Sequence, residues 1–435
     1  MEHAIRSSAF TAALTPIAQR LILGGLLSLP LASGAAGFVD DSKASLTLRN
    51  YYMDRDFKDD GAKSAAREWA QGFIAKFESG YTEGTVGVGF DAMGLVGLKL
   101  DSSPDRTGTE VLPVSRTTGR AADEYSRIAP TGKLRIGKTE IKGGDIAIFL
   151  PFAIASPARL LPQTFRGGYA YSRDIDGLTL HGGYLDRINR RNSTDYEPMT
   201  VASPNGRFNP AATTSHMAFA GGDYRPTDKW LIRAYRAEVA DLYEQNVFTL
   251  FHTLPIGDGA FTSDFRGFFS DDLGSAKAGK VDNRNLSAQF AYALGGHKLT
   301  VGYMHLSGDT ATPYISGTEL GVIGEFTMSS DFLNTRERVW QAIYDYDFLN
   351  AGLPGLKARL RYVRGDNIEL AAFGADGLKE RELQMEIGYV VQGGPLKGVG
   401  FKARQSIYRN DFPGGAAFRD ENQLRLHIDY TLALW

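Results

Sequence analysis

Basic side chains occupy every second position in several short segments of this chain. Lys357, Arg359 and Arg361 alternate with apolar residues. Residues two apart share one face of an extended strand, so such a segment presents a row of cations on one side. Guanidinium groups bind carboxylates in a bidentate manner, and a row of them offers successive sites between which an anion can exchange. The alternative is that these cations only pair with Asp and Glu on neighbouring strands. Cations in the same phase are Lys133, Arg135, Lys402, Arg404 and Arg425.

Other reactive residue types show no catalytic or metal-binding pattern. The seven histidines lack the spacing of metal ligands, and the absence of cysteine excludes disulfides and thiolate metal sites. No serine stands in a nucleophile elbow. We therefore expect no enzyme activity, no metal and no cofactor.

The elements that position these cations are best seen in the last fourteen residues. Leu424, Leu426 and Ile428 are apolar, and the residues between them are polar. This strict alternation predicts a β-strand with different solvents on its two faces. Trp435 is out of phase, so we expect it at the rim of the sheet. The same pattern recurs around residues 285–294, 340–348 and 382–391.

Alternation alone fits two architectures: a soluble sandwich with an apolar core, or a barrel with lipid outside and water inside. Composition favours the barrel. The 435 residues include 50 Gly, 20 Tyr and 25 Phe, which suit curved strands and aromatic girdles. No run of about 18 apolar residues follows residue 37, so no spanning helix is expected. The net charge of −2 does not suggest a nucleic-acid partner.

The N-terminus has the pattern of an export signal. Arg6 and Arg20 precede an apolar run at 21–31 and small residues at 32–37. The alternative, a membrane anchor, requires a longer run. We expect residues 1–37 to be a signal peptide cleaved near 35–37 and residues 38–435 to form one barrel domain in the bacterial outer membrane. At roughly 22 residues per strand and connection, that domain holds about 18 antiparallel strands.

One apolar segment, residues 143–168, is broken by Pro151, Pro157 and Pro162 and cannot be a central strand. An apolar loop needs burial, so we expect it to fold into the lumen as a constriction. The alternatives are packing between barrel and headgroups or a contact between monomers. Short turns at 294–297 and 352–355 predict the periplasmic side, and polar stretches at 102–130, 189–215, 307–335 and 365–380 predict the outside. The predicted constriction residues are Asp145, Phe149, Phe152, Arg159, Gln163 and Phe165.

Several segments in their order resemble the OprD-type (Occ) substrate-specific channels of pseudomonads. They are residues 37–52, 54–56, 78–87, 159–164, 354–356, 388–391 and 395–397. The resemblance implies an 18-stranded barrel that is a monomer or loose homotrimer, with a third loop that narrows the pore. It also implies a basic track that guides carboxylates, to which Arg55 in the matching 54–56 segment belongs. The Arg159-Leu-Leu-Pro-Gln-Thr164 form, Gly295-Gly-His297 and the terminal Leu-Trp are more similar to the branch that takes cyclic and aromatic carboxylates.

These observations predict a passive outer-membrane channel for small carboxylates, such as benzoate-like compounds. The partners are the substrate, outer-membrane lipid and the barrel-assembly machinery during insertion. The alternatives are a channel for basic amino acids or peptides, a barrel enzyme, or a structural barrel. Glu380, Glu382 and Glu386 face inward by phase and either oppose the basic wall across the lumen or neutralise it. The predicted basic ladder consists of Arg55, Lys133, Arg135, Lys357, Arg359, Arg361, Lys402, Arg404 and Arg425.

Overall fold

The computed structural model describes residues 36–59, 61, 63–156, 158–323 and 327–435. The predicted signal peptide lies outside these residues, except at its last two positions. The short helix α1 (Ala36–Asp40) precedes the first strand. Three 3-10 turns follow, at Pro204–Gly206, Phe348–Ala351 and Ala371–Phe373. Within the described ranges, no helix has the length and apolarity that crossing a membrane requires.

Eighteen antiparallel strands close into a barrel, as predicted. Closure occurs where the first strand pairs with the last, in a register that runs from Ser45↔Ala433 to Phe57↔Glu421. The barrel strands are β1 (Lys43–Phe57), β2 (Ala65–Glu78), β3 (Val86–Asp101), β4 (Glu124–Ile136), β5 (Thr139–Ile146), β8 (Thr164–Ile175), β9 (Leu178–Asn189), β13 (Met217–Thr227), β14 (Trp230–Val239), β15 (Tyr243–Ile256), β16 (Gly259–Asp272), β17 (Asp282–Leu294), β18 (His297–Gly308), β20 (Arg338–Asp347), β21 (Leu356–Leu370), β22 (Ala375–Val390), β23 (Gly400–Asn410) and β24 (Glu421–Ala433).

Six shorter strands lie in the connections. They are β6 (Phe149–Leu150), β7 (Ala153–Ala155), β10 (Tyr196–Glu197), β11 (Met199–Thr200), β12 (Thr213–Thr214) and β19 (Thr318–Glu319). The connections alternate between short turns at one end of the barrel, the short-turn rim, and mostly longer loops at the other, the long-loop rim. In transmembrane barrels the short turns are periplasmic and the long loops are extracellular. The loops are L1 (58–64), L2 (102–123), L3 (147–163), L4 (190–216), L5 (240–242), L6 (273–281), L7 (309–337), L8 (371–374) and L9 (411–420).

The alternation along the strands separates an outer from an inner face, as the last strand illustrates. Leu426 and Ile428 are exposed on the outside of the barrel, whereas Gln423 and Arg425 are buried inside it. Trp435 is exposed beyond the end of β24, where its backbone N–H is bonded to Ala44. The predicted faces and the predicted position of Trp435 at the rim are therefore confirmed.

Three predicted loop boundaries are wrong. The stretch 102–130 ends inside a strand, because β4 begins at Glu124. The stretch 365–380 is mostly strand, because β21 continues to Leu370 and β22 begins at Ala375. The constriction segment is shorter than 143–168, because Gly143 and Gly144 pair with Gly168 and Gly167 between β5 and β8. At φ of +132°, a side chain on Gly144 would collide with the carbonyl of Pro130. The glycines thus allow a close strand approach and do not mark a turn.

The lumen is not filled with water throughout. Towards the long-loop rim, the inner faces of the strands and the inward-folded loops form a hydrophobic core inside the barrel. This core differs from the aqueous interior that strand alternation predicts. Its members include Phe152, Phe219, Tyr235, Val247, Phe268, Met304, Leu306, Leu320, Val322, Phe332, Val339, Val363 and Tyr408.

The outer face predicts how the membrane limits substitution. Leu360 pairs with Met385 near the middle of the apolar belt, whereas Leu254 lies two residues from the short-turn end of β15. Leu360→Arg is expected to lower the free energy of unfolding by about 2–4 kcal/mol and Leu254→Arg by about 0–1 kcal/mol, because the penalty depends on depth. Equilibrium urea unfolding in lipid vesicles measures both. Equal losses in the two variants would contradict the assigned height of the belt.

Candidate functional site

Cross-strand register gathers most of the predicted cations on one inner wall, the basic wall, formed by β21 to β24 and β1. Arg425 pairs with Arg404, and Arg404 pairs with Glu386 on the next strand. Glu386 in turn pairs with Arg359. Lys357 and Lys402 lie nearer to the short-turn rim than Arg359 and Arg404, each at the next inward-facing position of its strand. The sequence predicted that these cations face the lumen, and their arrangement in adjacent rows follows from the barrel closure.

The basic wall has an open part and a covered part. The side chain of Lys357 is 70% exposed, and those of Arg359 and Lys402 are about half exposed. In contrast, Arg361 and Arg425 are 5% and 2% exposed. Their guanidinium groups donate to backbone carbonyls of L7: Arg361 to Ile323 at 3.3 Å and Arg425 to Met328 at 2.8 Å. These two predicted rungs therefore support L7 and do not face open lumen.

Carboxylates on the same wall accompany the exposed cations. Arg359 binds Asp345 at 2.6 Å, and Lys357 binds Asp347 at 2.9 Å. Glu386 lies 2.9 Å from Arg404 and 3.4 Å from Lys402. Glu386 thus neutralises part of the basic wall and does not oppose it across the lumen. An ammonium group has three N–H donors and a guanidinium group five, so the ion pairs of Lys357 and Arg359 do not use all the donors of these two side chains.

Glu380 and Glu382 also do not oppose the basic wall, because both are buried beneath L7. Glu382 accepts hydrogen bonds from the backbone N–H groups of Met328 and Ser329 at 2.9 and 3.2 Å. Glu380 accepts one from the side-chain amide of Asn334 in L7 at 2.9 Å and one from the hydroxyl of Tyr408 on β23 at 2.6 Å. Their contacts assign both carboxylates to holding L7.

Arg49 extends the basic wall onto β1, a position that the sequence analysis did not single out. It binds Asp429 at 2.6 Å and donates to the carbonyl of Arg159 at 3.1 Å. Arg49 is at an inward-facing position of β1, and the alternation of that strand could have identified it. The predicted Arg55 lies on the same face, nearer the long-loop rim, and binds the buried Glu421 at 2.7 Å.

Lys133 and Arg135 face the lumen on a different wall, because β4 is three strands away from β1. Lys133 is buried and pairs with Asp91 at 2.5 Å. The guanidinium of Arg135 lies 4.3 Å from the ring centroid of Tyr81. The structure therefore does not bring this predicted pair to the basic wall.

L3 crosses the lumen, as predicted. Its second half is fixed to β1 by the Tyr51 hydroxyl, which donates to the carbonyl of Ala158 at 2.9 Å. Its first half is fixed to the far wall, where the ring of Phe152 lies 5.1 Å from Phe219 and 5.8 Å from Tyr235. A loop held at both ends in this way narrows the pore between them.

The predicted constriction residues separate into three groups. Phe149 is 64% exposed and Arg159 is partly exposed, so both border open space. Phe152 and Gln163 lie in L3 but are buried, Phe152 in the core inside the barrel. Asp145 and Phe165 are not in the loop, because they belong to β5 and β8, and both are buried. Asp145 and Phe165 were included because the predicted segment, 143–168, extends into the two paired strands at both ends.

L7 forms a second inward fold that the sequence analysis interpreted as an extracellular stretch. Its strand β19 pairs with β7 of L3. Arg266 on β16 donates to the carbonyl of Gly321 at 2.5 Å, which ties the loop to the wall opposite Arg425. The available signal was the apolar run Leu320-Gly-Val-Ile323, because an apolar loop needs burial here as it does in L3.

Charged side chains from four loops meet where L3 and L7 join. Arg191 of L4 is 3.3 Å from Glu110 of L2 and donates to the hydroxyl of Ser156 in L3 at 3.2 Å. Ser156 donates to Glu319 of L7 at 3.1 Å. The Glu110 side chain is 56% exposed to the lumen. This loop junction (Glu110, Ser156, Arg159, Arg191 and Glu319) has no local sequence signal, because its members are distant in the chain.

The two glutamates of the loop junction have opposite pKa shifts. Enclosure raises the pKa of Glu110, but the surrounding guanidinium groups, Arg191 first and then Arg159, outweigh it and lower that pKa overall. Burial raises the pKa of Glu319, and the same two arginines do not reverse the shift. As pH falls, Glu319 therefore takes up a proton before Glu110.

The space beside the exposed cations is open to the short-turn rim. A cavity of about 740 Å³ is bordered by Lys357, Arg359, Glu386, Lys402 and Asp429. Tyr169 and Tyr171 of β8 and His181 of β9 form an aromatic cluster. β8 is nine steps around the ring from β21, so this cluster lies across the lumen from the basic wall. Among the described residues, no group of His, Asp or Glu is placed to hold a metal ion.

Comparisons with known proteins agree with this architecture. The model of a family described as "outer membrane porin, OprD family" matches residues 36–434. Porin-like protein GalP of Pseudomonas putida is 38% identical over 408 residues, which cover 94% of this chain and 96% of GalP. The crystal structure of OccAB3 from Acinetobacter baumannii has a TM-score of 0.88 and 42% identity, over 91% of this chain and 100% of that chain. The structure of Pseudomonas aeruginosa OpdK with vanillate has a TM-score of 0.85 and 37% identity, over 92% of this chain and 100% of that chain.

Removal of the Arg425 side chain tests the assignment of this residue to loop support. Arg425→Ala deletes the hydrogen bond to Met328, so L7 is held less firmly and the single-channel current is expected to become larger and noisier. Lys357→Ala is the matched control, because this exposed cation does not contact L7. Planar-bilayer recording distinguishes the two. A quiet current of unchanged size in Arg425→Ala would show that L7 does not depend on this contact.

The loop junction predicts how selectivity varies with pH. Because the pKa of Glu319 is raised, its charge is lost above the ordinary carboxyl value of about 4.3. As pH is lowered from 7, the anion-to-cation permeability ratio, measured from reversal potentials, is expected to begin to rise before an ordinary carboxyl group would be protonated, and Glu319→Gln removes that early rise. Glu110→Gln raises the ratio at pH 7 and keeps the rise. A pH response that persists in Glu319→Gln would assign the proton to another group.

Proposed function

We propose that this chain, which belongs to the OprD family of outer membrane porins, admits small carboxylates that diffuse along its basic wall. The chain is a substrate-specific porin of the bacterial outer membrane, and the proteins that it resembles are channels, not enzymes. The proposal concerns which solutes pass. Its principal support is the set of exposed cations on one wall below the constriction.

The spacing of these cations suits exchange of an anion from site to site. Inward positions two residues apart on a strand are separated by roughly 6.6 Å. An anion held between Lys402 and Arg404 can therefore contact the next cation before it leaves the previous one. Conduction needs sites of this kind, which favour entry but are too weak to trap the solute.

The carboxylates on the basic wall keep each site weak. Glu386 competes with an incoming anion for both Lys402 and Arg404. Asp345 competes in the same way for Arg359. A permeating carboxylate replaces one contact of each cation and does not fill an empty charged pocket. The mechanism is passive diffusion, driven by the solute gradient.

Aromatic surfaces next to this track favour cyclic and aromatic carboxylates. The exposed ring of Phe149 borders the constriction, and Tyr169 and Tyr171 line the wall across from β21. A flat ring can pass such surfaces with little loss of apolar contact. The similar OpdK structure contains vanillate, which is an aromatic carboxylate. This combination supports benzoate-like solutes as the preferred class.

A channel for basic amino acids is the second candidate, and one observation favours it. The carboxylate of Glu110 is exposed to the lumen at the loop junction. It could receive an amino or guanidinium group before the solute carboxylate reaches the basic wall. Single-channel recording in a planar bilayer, with benzoate and arginine added in turn, discriminates the candidates. Transient block by benzoate supports the first proposal, and block by arginine alone supports the second.

Removal of two cations that share Glu386, the half-exposed Lys402 and the 18% exposed Arg404, tests the role of the basic wall directly. Lys402→Gln with Arg404→Gln leaves Glu386 without these partners, and benzoate permeability is expected to fall about tenfold, the effect of losing ~1.4 kcal/mol of binding. Arg135→Gln with Arg173→Gln is the matched control, because it removes two cations from other strands: Arg135 of β4, and Arg173 of β8, whose guanidinium lies 4.9 Å from the ring centroid of Tyr171 in the aromatic cluster. Benzoate flux into proteoliposomes gives the comparison. An equal fall in both double variants would show that the net charge of the lumen, and not the position of these two cations, controls benzoate permeability.

A further inference from the structure

An unusual group of cations lies on the outside of the barrel near the long-loop rim. Arg364, Arg381 and Arg409 are directly paired across the neighbouring strands β21, β22 and β23. All three side chains face outward, because they alternate with side chains such as Arg361 and Glu382, which face into the barrel. Lys379 lies two residues from Arg381 on the same face. We call these four residues the outer basic patch.

The outer basic patch lacks internal compensation. Among the described residues, the side chains of Arg364, Lys379 and Arg381 form no hydrogen bond or ion pair. Arg409 donates to the carbonyls of Tyr408 and Glu421 at 2.7 and 3.0 Å, and the carboxylate of Asp420 is 4.0 Å away. Like charges directly opposite each other on adjacent strands are destabilising. An arrangement of this kind gains stability from an anion bound between the charges.

Several other outward arginines near the same rim have carboxylate partners. Arg67 binds Asp54 at 2.8 Å, and Arg284 binds Asp271 at 3.0 Å. The closest neighbour of the patch, Arg338, binds Asp366 at 2.8 Å. Inside the barrel, the cross-strand pair Lys133 and Lys142 shares Asp91. A cross-strand pair of cations without a carboxylate partner, such as Arg364 and Arg381, is therefore a local feature of the patch and is not seen at these other cations.

The height of the patch places it at the surface of the membrane. The next outward row towards the short-turn rim consists of Tyr362, Leu383 and Ile407, which begin the apolar belt. On β22 the belt continues to Tyr389, eight residues from Arg381. Eight residues span roughly 26 Å along a strand. After strand tilt this is about the height of the apolar band of outer-membrane barrels. The arginines therefore lie where lipid headgroups begin.

A shallow cavity of about 350 Å³ is bordered by the patch. Its lining consists of all four cations, Tyr362, Asn410, the surface carboxylate of Asp411, and Glu380, whose side chain is buried. From Arg364 to Arg409 the row spans two interstrand spacings, roughly 10 Å. Arginine binds phosphate with two parallel N–H donors, and apolar surface for acyl chains lies directly below. These properties match a phosphorylated lipid that enters from the outer leaflet.

We propose that the outer basic patch binds the phosphate groups of the outer-leaflet glycolipid, lipopolysaccharide, whose acyl chains lie against the belt below it. The arginines are on the opposite side of the wall from the pore, so a permeating solute does not reach them. The proposal depends on the outer-membrane location and not on which solutes the channel admits. The two proposals can therefore fail separately.

The test compares lipid binding by the full-length protein purified in detergent. The probes are lipid A with its phosphates and the same lipid after enzymatic dephosphorylation, with binding measured by titration and native mass spectrometry. Arg364→Gln with Arg381→Gln removes two unpartnered cations. Arg236→Gln with Arg284→Gln is the matched control, because these outward arginines near the same rim pair with Glu244 at 2.6 Å and Asp271 at 3.0 Å. Single-channel conductance in potassium chloride is measured in parallel to confirm that both variants form open barrels, whichever solutes the channel admits.

The patch variant is expected to bind phosphorylated lipid A about tenfold or more weakly, with less than about twofold change in the control. Dephosphorylated lipid A is expected to bind all proteins as weakly as the phosphorylated lipid binds the patch variant. Undiminished binding by the patch variant would overturn the proposal, as would an equal loss in the control. Equal binding of the dephosphorylated lipid would also overturn it. Inorganic phosphate that competes at the same concentration at which lipid A binds would overturn the proposal, because the occupant of the patch would then be a free anion and not the lipid.

Discussion

The whole structure depends on one requirement: in hydrocarbon, every backbone N–H and C=O has to find its partner on a neighbouring strand. The pairing of β1 with β24 meets it by joining the two ends of the sheet. Once the sheet is closed, each strand divides its residues between lipid and lumen. The lumen of an 18-stranded barrel is wider than its own side chains can fill. L3 and L7 occupy that space, and their apolar residues build a core inside the barrel instead of between sheets.

Burial gives basic side chains on one wall two different roles. Arg425 and Arg361 are covered by L7 and donate to its carbonyls, so they hold the constriction. Lys357 and Arg359 face the cavity near the short-turn rim, so they remain accessible to solutes. The same phase therefore provides both the support for the narrow region and the charged surface that follows it. A change in loop packing would convert a residue from one task to the other without altering the strand.

The sequence predicted the features that depend on neighbouring residues. Alternation is local, so the faces of Arg425 and Arg404 followed from their own strands. The predicted constriction segment included Gly143 and Gly144, because no local pattern shows that these glycines pair with Gly168 and Gly167 of the next barrel strand. L7 was missed although its apolar run satisfies the criterion that identified L3. The contact between Glu110 and Arg191 joins loops 81 positions apart, from 110 to 191, and no local pattern encodes such a meeting.

Closure of the ring also determines the order in which this chain can fold. The ion pair between Arg49 and Asp429 joins residues 380 positions apart. Contacts of such long sequence separation form slowly, because the intervening chain must first be ordered. Until β24 is in place, both β1 and the growing end of the sheet expose unpaired edges, which are prone to mispairing. Pairing of the final strand is thus a late and slow step of folding. A chain that has not completed it has neither a closed barrel nor a lumen for its loops to enter.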